Sequence, residues 1–439
     1  MSFKLPIGVA TIYKPFFIIF LFFIFLISCS PVDSLIKKTE VYNKENNSEE
    51  NINNKKEQQN TADVLNQDKK TIQHSESILN KNVTIIFSNS DKENVVNQFI
   101  NVIEMAVYNK QLKGINFNIA MYSNKNELDE IIKNSNNLGK IYIGPINAED
   151  TLVVKNYCNE GAIFFSFASK KSLAKDCVYL VNFFPENELR SIFKYLPTNS
   201  KVAFLYPQNK YGYKINSIID EIANYSDSII VNRSSYKDDM SNVRGAIKEL
   251  GKYELRKYEL DRQKQILANK KDSESIKRLK KLKKFKTTRD FDFTHLILPD
   301  YGLRLLQVAP LLPYYDIDPN IVRFVGTGVW DDEAFFLEPS LQKSIFPGVE
   351  KKKRETIQGE FEKIYNNKFL RISTLPYDLL GILSYAFQNK NSLSEFYNLL
   401  NNSEIRFEGV DGSFYFKKNI IERDLDILQI SNGIAKKIN

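Results

Sequence analysis

"KIYIGPINAEDTLVVKNYCNEGAIFFSFAS", residues 140–169, decides the architecture. Its two apolar runs, 140–144 and 162–167, are short and rich in β-branched and aromatic side chains, and they flank a segment at 148–159 with helical spacing. Neither run alternates polar with apolar residues. Such strands are covered on both faces, as in a parallel sheet whose crossovers are helices. Working outward, "VTIIF" (83–87) and "FNIAMY" (117–122) read as further strands. Between them Val95, Val96, Phe99, Val102, Ile103, Ala106 and Val107 mark one helix face, and after the second strand 127–133 reads as a short helix. This is β-α-β repetition, a doubly wound α/β lobe.

A second round follows. "KVAFLYP" (201–207), "SIIVNRSSY" (228–236), "THLILP" (294–299) and "VRFVGTG" (322–328) are its strands, with helices predicted at 211–225, from Asp239, and at 301–312. Beyond "GTGVWDD" the pattern is helical at 350–366, 376–389 and 392–401. The end, "FEGVDGSFYFKKNIIERDLDILQI", is a Gly-spaced hairpin of alternating aromatic and polar residues. About 360 residues lie beyond the N-terminal polar tract, enough for two lobes rather than one core.

The net charge of +8 has a local source. Residues 252–290 carry 15 Lys and Arg against 6 Asp and Glu, a net +9, so the remainder is close to neutral. Little Gly or Pro interrupts this tract, which predicts a long helix or helical hairpin. Either it is a solvated insert, or it docks on an acidic partner or an anionic membrane. It lacks the aromatic interleaving of a nucleic-acid surface, and no nucleic-acid partner is expected.

The N-terminus has a basic start (Lys4, Lys14), an apolar run at 16–27 and then Leu26-Ile27-Ser28-Cys29, which resembles the lipobox of bacterial lipoproteins. The resemblance implies cleavage before Cys29 and a lipid on its sulfur. Twelve apolar residues span about 18 Å of helix against the roughly 30 Å of a bilayer core, which disfavours a permanent anchor; an uncleaved anchor and an ordinary signal peptide stay open. In that lipoprotein family a non-acidic residue after the cysteine, here Ser30, implies the outer membrane. Residues 1–28 are thus read as the leader and 29–80 as a tether too polar to fold, with a root-mean-square span of about 40 Å.

Cys158 and Cys177 remain. In an oxidising compartment they either bridge or stay two buried thiols. His74 lies in the polar tract and His295 in an apolar strand, where a satisfied core histidine is the expectation. No Ser-His-Asp or Cys-His set and no metal-ligand spacing can be drawn. A phosphate loop is missing too, since Gly326-Thr327-Gly328 runs into Trp330. No catalytic residues, metal or cofactor are expected.

Ligands of open α/β sheets sit beyond the carboxyl ends of the strands. Those ends nominate Asn147, Ser166, Ala168 and Ser169 in the first lobe, and Tyr211, Asp300, Trp330 and Asp331 in the second. Small hydroxyls, an amide and aromatics suit a small zwitterion or a sugar, with Asp300 and Asp331 meeting an ammonium group.

"IYIGPINAED", "AIFFSFAS", "KVAFLYPQNKYGY", "FTHLILPDYG", "VRFVGTGVWDD" and "FEGVDGSFYF" follow one another as in type 1 periplasmic binding proteins. Over residues 81–430 the chain resembles their branch of penicillin-binding-protein activators and leucine-binding-like lipoproteins. The resemblance implies two lobes that exchange segments: 81–184 in lobe 1, 185–334 in lobe 2 with the basic insert, 335–402 returning to lobe 1, and 403–439 a hairpin in lobe 2. It puts Cys158 and Cys177 at the edge away from the cleft. It gives the 166–169 loop to a ligand's hydroxyl and backbone contacts and Asp300 to its amine. Two roles are implied: an outer-membrane lipoprotein that activates a penicillin-binding protein in peptidoglycan synthesis, or the periplasmic amino-acid receptor of an ABC permease. The activators carry a helical-repeat domain where this chain has its polar tract.

Overall fold

A computed structural model describes residues 79–135 and 140–438. Cys29, the leader and nearly all of the tether lie outside the described residues. The strands in chain order are β1 (Asn82–Ser88), β2 (Asn116–Tyr122), β3 (Ile141–Ile143), β4 (Ile163–Ser166), β5 (Val178–Leu180), β6 (Lys201–Gln208), β7 (Ile229–Lys237), β8 (His295–Ile297), β9 (Arg323–Val325), β10 (Ile345–Gly348), β11 (Phe407–Gly409), β12 (Gly412–Lys417), β13 (Ile420–Arg423), β14 (Asp426–Ser431) and β15 (Ile434–Ile438). They form two sheets. The eight-stranded one has the order β11-β12-β13-β5-β4-β3-β1-β2 and the seven-stranded one β15-β14-β10-β9-β8-β6-β7.

β1 to β5 pair in parallel, as do β6 to β10, and helices cover both faces. The fully apolar strands follow from this: Ile141, Tyr142 and Ile143, like Ile163, Phe164 and Phe165, have no face open to water. Proline sets one element break. The helix predicted at 301–312 is two, Gly302–Val308 and Leu311–Tyr314, parted at Pro310.

The terminal segment corrects the predicted lobe boundaries. β10 belongs to the second sheet, so lobe 2 runs to residue 348 rather than 334. The hairpin at the end does not stay together. β11–β13 join the first sheet, where Ile420 pairs with Leu180, and only β14 and β15 return to the second. The inward side chains decide it: Phe414 and Phe416 enter the lobe 1 core with Phe416 against Tyr179, while Leu428 and Ile430 enter the lobe 2 core.

The chain therefore crosses between lobes three times, at 181–184, 349–351 and 424–425. β5, β10 and β13 each leave at their carboxyl ends, and β14 starts beside the carboxyl end of β10 because it runs antiparallel to it. All three crossings thus lie at the carboxyl edges of the parallel strands. Those edges face one another across the gap between the lobes.

Cys158 and Cys177 are disulfide-bonded at the amino edge of β4 and β5, away from that gap. The basic tract is a pair of helices, Tyr253–Ala268 and Ser273–Leu282, packed on each other. Among the described residues no helix is long and apolar enough to cross a membrane.

Candidate functional site: the cleft between the lobes

On the lobe 1 wall, Asn147 caps the helix Ala148–Val154, accepting from the Asp150 N–H at 2.8 Å and donating to the Asp150 carboxylate at 2.7 Å. Its amide also reaches Asp91 at 3.3 Å, and the Tyr122 hydroxyl donates to Asp150 at 2.8 Å. Ser166 is fully buried. Its hydroxyl shares a hydrogen bond with Thr151 and accepts from the Ala168 N–H, shaping the loop from beneath. Ala168 is buried as well, and Ser169 is exposed at the rim.

On the lobe 2 wall, Tyr211 is half-buried, bonds Thr327 through its hydroxyl at 2.8 Å and meets the ring of Tyr301 edge-on at 5.8 Å. Burial, helped by the nearby Glu188 carboxylate, pushes its phenol well above the usual range. Tyr301 is open to solvent.

Asp300 was nominated to meet a ligand's amine, and the structure gives its carboxylate other partners. It is buried, accepts from Arg304 Nε at 2.8 and 2.9 Å, pairs with Arg304 Nη2 at 2.7 Å, and receives the Tyr236 hydroxyl and the Tyr301 N–H. Trp330 does not reach the cleft either. Its indole fills the lobe 2 core, donating Nε1–H to the Asp300 carbonyl at 3.1 Å. It lies so close to Gly326 that a Cβ there would sit 2.0 Å from the ring. Asp331 turns toward the crossings and pairs with Arg354 of lobe 1.

The cleft floor joins Gly328 and Asp411, which lie in the quoted motifs without being nominated, to Glu188, Arg354 and Arg371, which lie in none of them. Arg371, from lobe 1, donates through Nη1 to the carbonyl of Gly328 in lobe 2 at 2.8 Å and through Nε to Asp411 at 3.1 Å. Arg354 reaches Asp411 at 3.2 Å, and the Gly328 N–H is taken by Glu188 at 2.9 Å. Burial works against the charge on Arg371, but Asp411, Asp331 and Glu188 together hold it protonated more firmly than usual. Burial likewise disfavours a charged Asp411, and Arg371, Arg354 and Arg423 outweigh it, leaving that carboxyl below its ordinary value. At Glu188 burial wins, raising its carboxyl despite Arg371 and the Gly328 N–H. Arg371 and Arg423 also face the ring of Phe183. These charges stitch the lobes beside the crossings.

Among the described residues, several cavities open to the surface. One of about 500 Å³ lies by the third crossing, lined by Arg190, Tyr415 and Asp424. Two of about 650 Å³ lie on lobe 2, and one of about 310 Å³ lies beside Asp331 and Glu333. Of the eight nominated residues only Asp331 lines any of these. The structure therefore brings Asn147, Ser169, Tyr211 and Asp331 to facing edges but does not gather the eight into one of these cavities. Among the described residues no group of three or more His, Cys, Asp or Glu could hold a metal ion.

Comparison with solved structures agrees with this geometry. A branched-chain amino acid ABC transporter structure from Rhodospirillum rubrum matches with TM-score 0.62 at 10% identity, covering 82% of this chain and 100% of that one. The chain has the type 1 periplasmic-binding-protein fold. A solute-binding protein of an ABC transporter from Rhodopseudomonas palustris BisB5, in complex with 3,4-dihydroxybenzoic acid, shares this fold at TM-score 0.51 and 12% identity, over 81% of this chain and 95% of that one. LpoA from Haemophilus influenzae shares it at TM-score 0.56 and 13% identity, over 82% of this chain and only 58% of LpoA. No protein-family model and no curated protein matches the sequence.

Proposed function

We propose that the protein is a solute receptor of the cell envelope, carried by a lipid on Cys29, which closes its lobes over a small organic molecule and presents it to an ABC permease. The observation that supports this reading is the likeness of fold, which is nearer to the transporter-type structure, at TM-score 0.62, than to LpoA, at 0.56. Closure would bring Tyr211 and Tyr301 against the Asn147 and Ser169 side of lobe 1, pivoting on the three crossings. The occupied Asp300 argues against recognition of an ammonium group there. A carboxylate or a ring lying on the tyrosine pair fits the wall better.

A second reading, an outer-membrane activator of a penicillin-binding protein, is favoured by the ties from Arg371 and Arg354 across the gap, which suit lobes held still for a protein partner. Thermal melting of the full chain against amino acids, aromatic and aliphatic carboxylic acids and sugars separates the two. A ligand at 100 times its Kd adds about 2.7 kcal/mol. A flat response across all these classes sinks the receptor reading and leaves the activator, which cross-linking to a cell-wall synthase rather than a permease would then support.

A further inference from the structure

The helical hairpin at 253–282 stands apart from the cleft, and the path of the chain explains why. The helix Val243–Leu250 follows the carboxyl end of β7 and returns to the amino edge of the sheet. The hairpin begins there and ends before β8 enters at His295. It stands on the side of lobe 2 away from the cleft.

Its base is firmly held. Arg256 is buried, donates to the carbonyls of Gly251 at 2.7 Å and Thr288 at 2.8 Å and to the Thr287 hydroxyl at 2.8 Å, and stacks over Phe291 at 4.2 Å. Leu260 and Leu267 complete the packed face. At 100° per residue Leu255, Tyr258, Arg262 and Ile266 fall within an arc of about 80° on the opposite face. Leu255, Tyr258 and Ile266 are each half exposed or more. On the second helix Ile276 is more than half exposed, with Lys280 on its stripe and Lys277 beside it, and Lys283 and Lys284 follow just past the helix end.

Exposed apolar side chains on a hairpin whose residues 253–282 carry 10 Lys and Arg against 5 Asp and Glu, a net +5 of which the turn and second helix supply +4, are an unusual surface, and both components point to the same occupant. The positive field seeks anions, while leucine, isoleucine and tyrosine on a convex arm lower their free energy by entering the headgroup boundary of a bilayer. A groove for a partner's helix would need concave walls, and these two helices present ridges. The apolar run at 16–27 and Cys29 place the chain beside a membrane on the sequence reading. We propose that this hairpin docks lobe 2 onto an anionic lipid surface, leaving the cleft open on the far side.

The test uses the full-length chain in vesicles, so that any anchor is present in every arm, with a polarity-sensitive dye on Ile266→Cys and the equally treated parent chain as the blank. Vesicles are phosphatidylcholine with phosphatidylglycerol, or phosphatidylcholine alone. The dye should shift to the blue and be quenched by brominated lipid only on the anionic vesicles, and the effect should vanish at high salt, where exposed charges are screened. Lys277→Glu, Lys280→Glu and Lys284→Glu together should abolish it while leaving the near-ultraviolet circular dichroism unchanged. The same dye on Tyr225→Cys, exposed on lobe 2 outside the hairpin, should stay aqueous throughout. A dye at 266 that reads water on anionic vesicles, that responds equally on neutral ones, or that moves only on added polyglutamate overturns the proposal. The polyglutamate result would assign the hairpin to an acidic protein instead. Quenching at 225 as strong as at 266 overturns it too.

Discussion

Replacing Asp411 with alanine tests whether buried charge holds the crossings together. The carboxylate has no exposed surface and is flanked by Arg371 Nε at 3.1 Å and Arg354 Nη1 at 3.2 Å, whose side chains are 21% and 8% exposed. In Asp411→Ala the two guanidiniums keep Asp331 as a shared partner, at 3.9 Å from Arg371. Removing one member of a buried charge cluster costs about 3–5 kcal/mol, because the charges left behind stay desolvated, and here two guanidiniums are left to share one neighbouring carboxylate. For a cooperative unit of about 200 residues each kcal/mol is worth roughly 2–4 °C, so the melting midpoint should fall by roughly 10 °C. Urea unfolding followed by circular dichroism should show a lower midpoint with an unchanged m value, since the surface exposed on unfolding is the same. Asp411→Asn, which keeps the shape and loses the charge, should fall by a comparable amount. A loss of less than about 0.5 kcal/mol in both variants would refute the argument and mean that water screens the crossing region.

Three further outcomes follow from single contacts. His295, pushed down to about 4 by burial and by Arg323 beside it, is neutral when folded and takes up a proton near its ordinary value when unfolded. Its contribution is therefore complete above about pH 6.5 and lost as pH falls through about 4, an amount near 2 kcal/mol after allowance for partial exposure, and His295→Asn should flatten that part of a urea-midpoint series from pH 7 to pH 4. Gly326→Ala has no room beside the Trp330 ring and should cost about 1–3 kcal/mol, with a changed tryptophan fluorescence maximum as the indole is displaced. Reducing the Cys158–Cys177 bridge, or replacing both cysteines by serine, frees a 19-residue separation and should cost about 3 kcal/mol in the same urea assay.

Apolar runs without alternation, such as Ile163 to Phe165, determine locally that strands are buried on both faces, and two series of them separated by helices determine two α/β lobes. Helix periodicity likewise made the basic tract legible as helical, because composition and spacing are properties of neighbouring residues. Part of the site was legible by the same logic. Asp300 and Arg304 stand only four apart across the start of the helix Gly302–Val308, so their ion pair at 2.7 Å is a contact between near neighbours in the chain. The rest was not local. Whether the terminal strands stay in one sheet or divide depends on Ile420 finding Leu180, 240 positions earlier, and on Phe414 and Phe416 preferring the lobe 1 core. Arg371, Arg354 and Asp411 converge from three separate segments, so no spacing connects them. Short-range pattern determined the elements and their facing edges, whereas desolvation and charge pairing among distant residues decided the cleft floor, because those energies exist only once the segments are packed together.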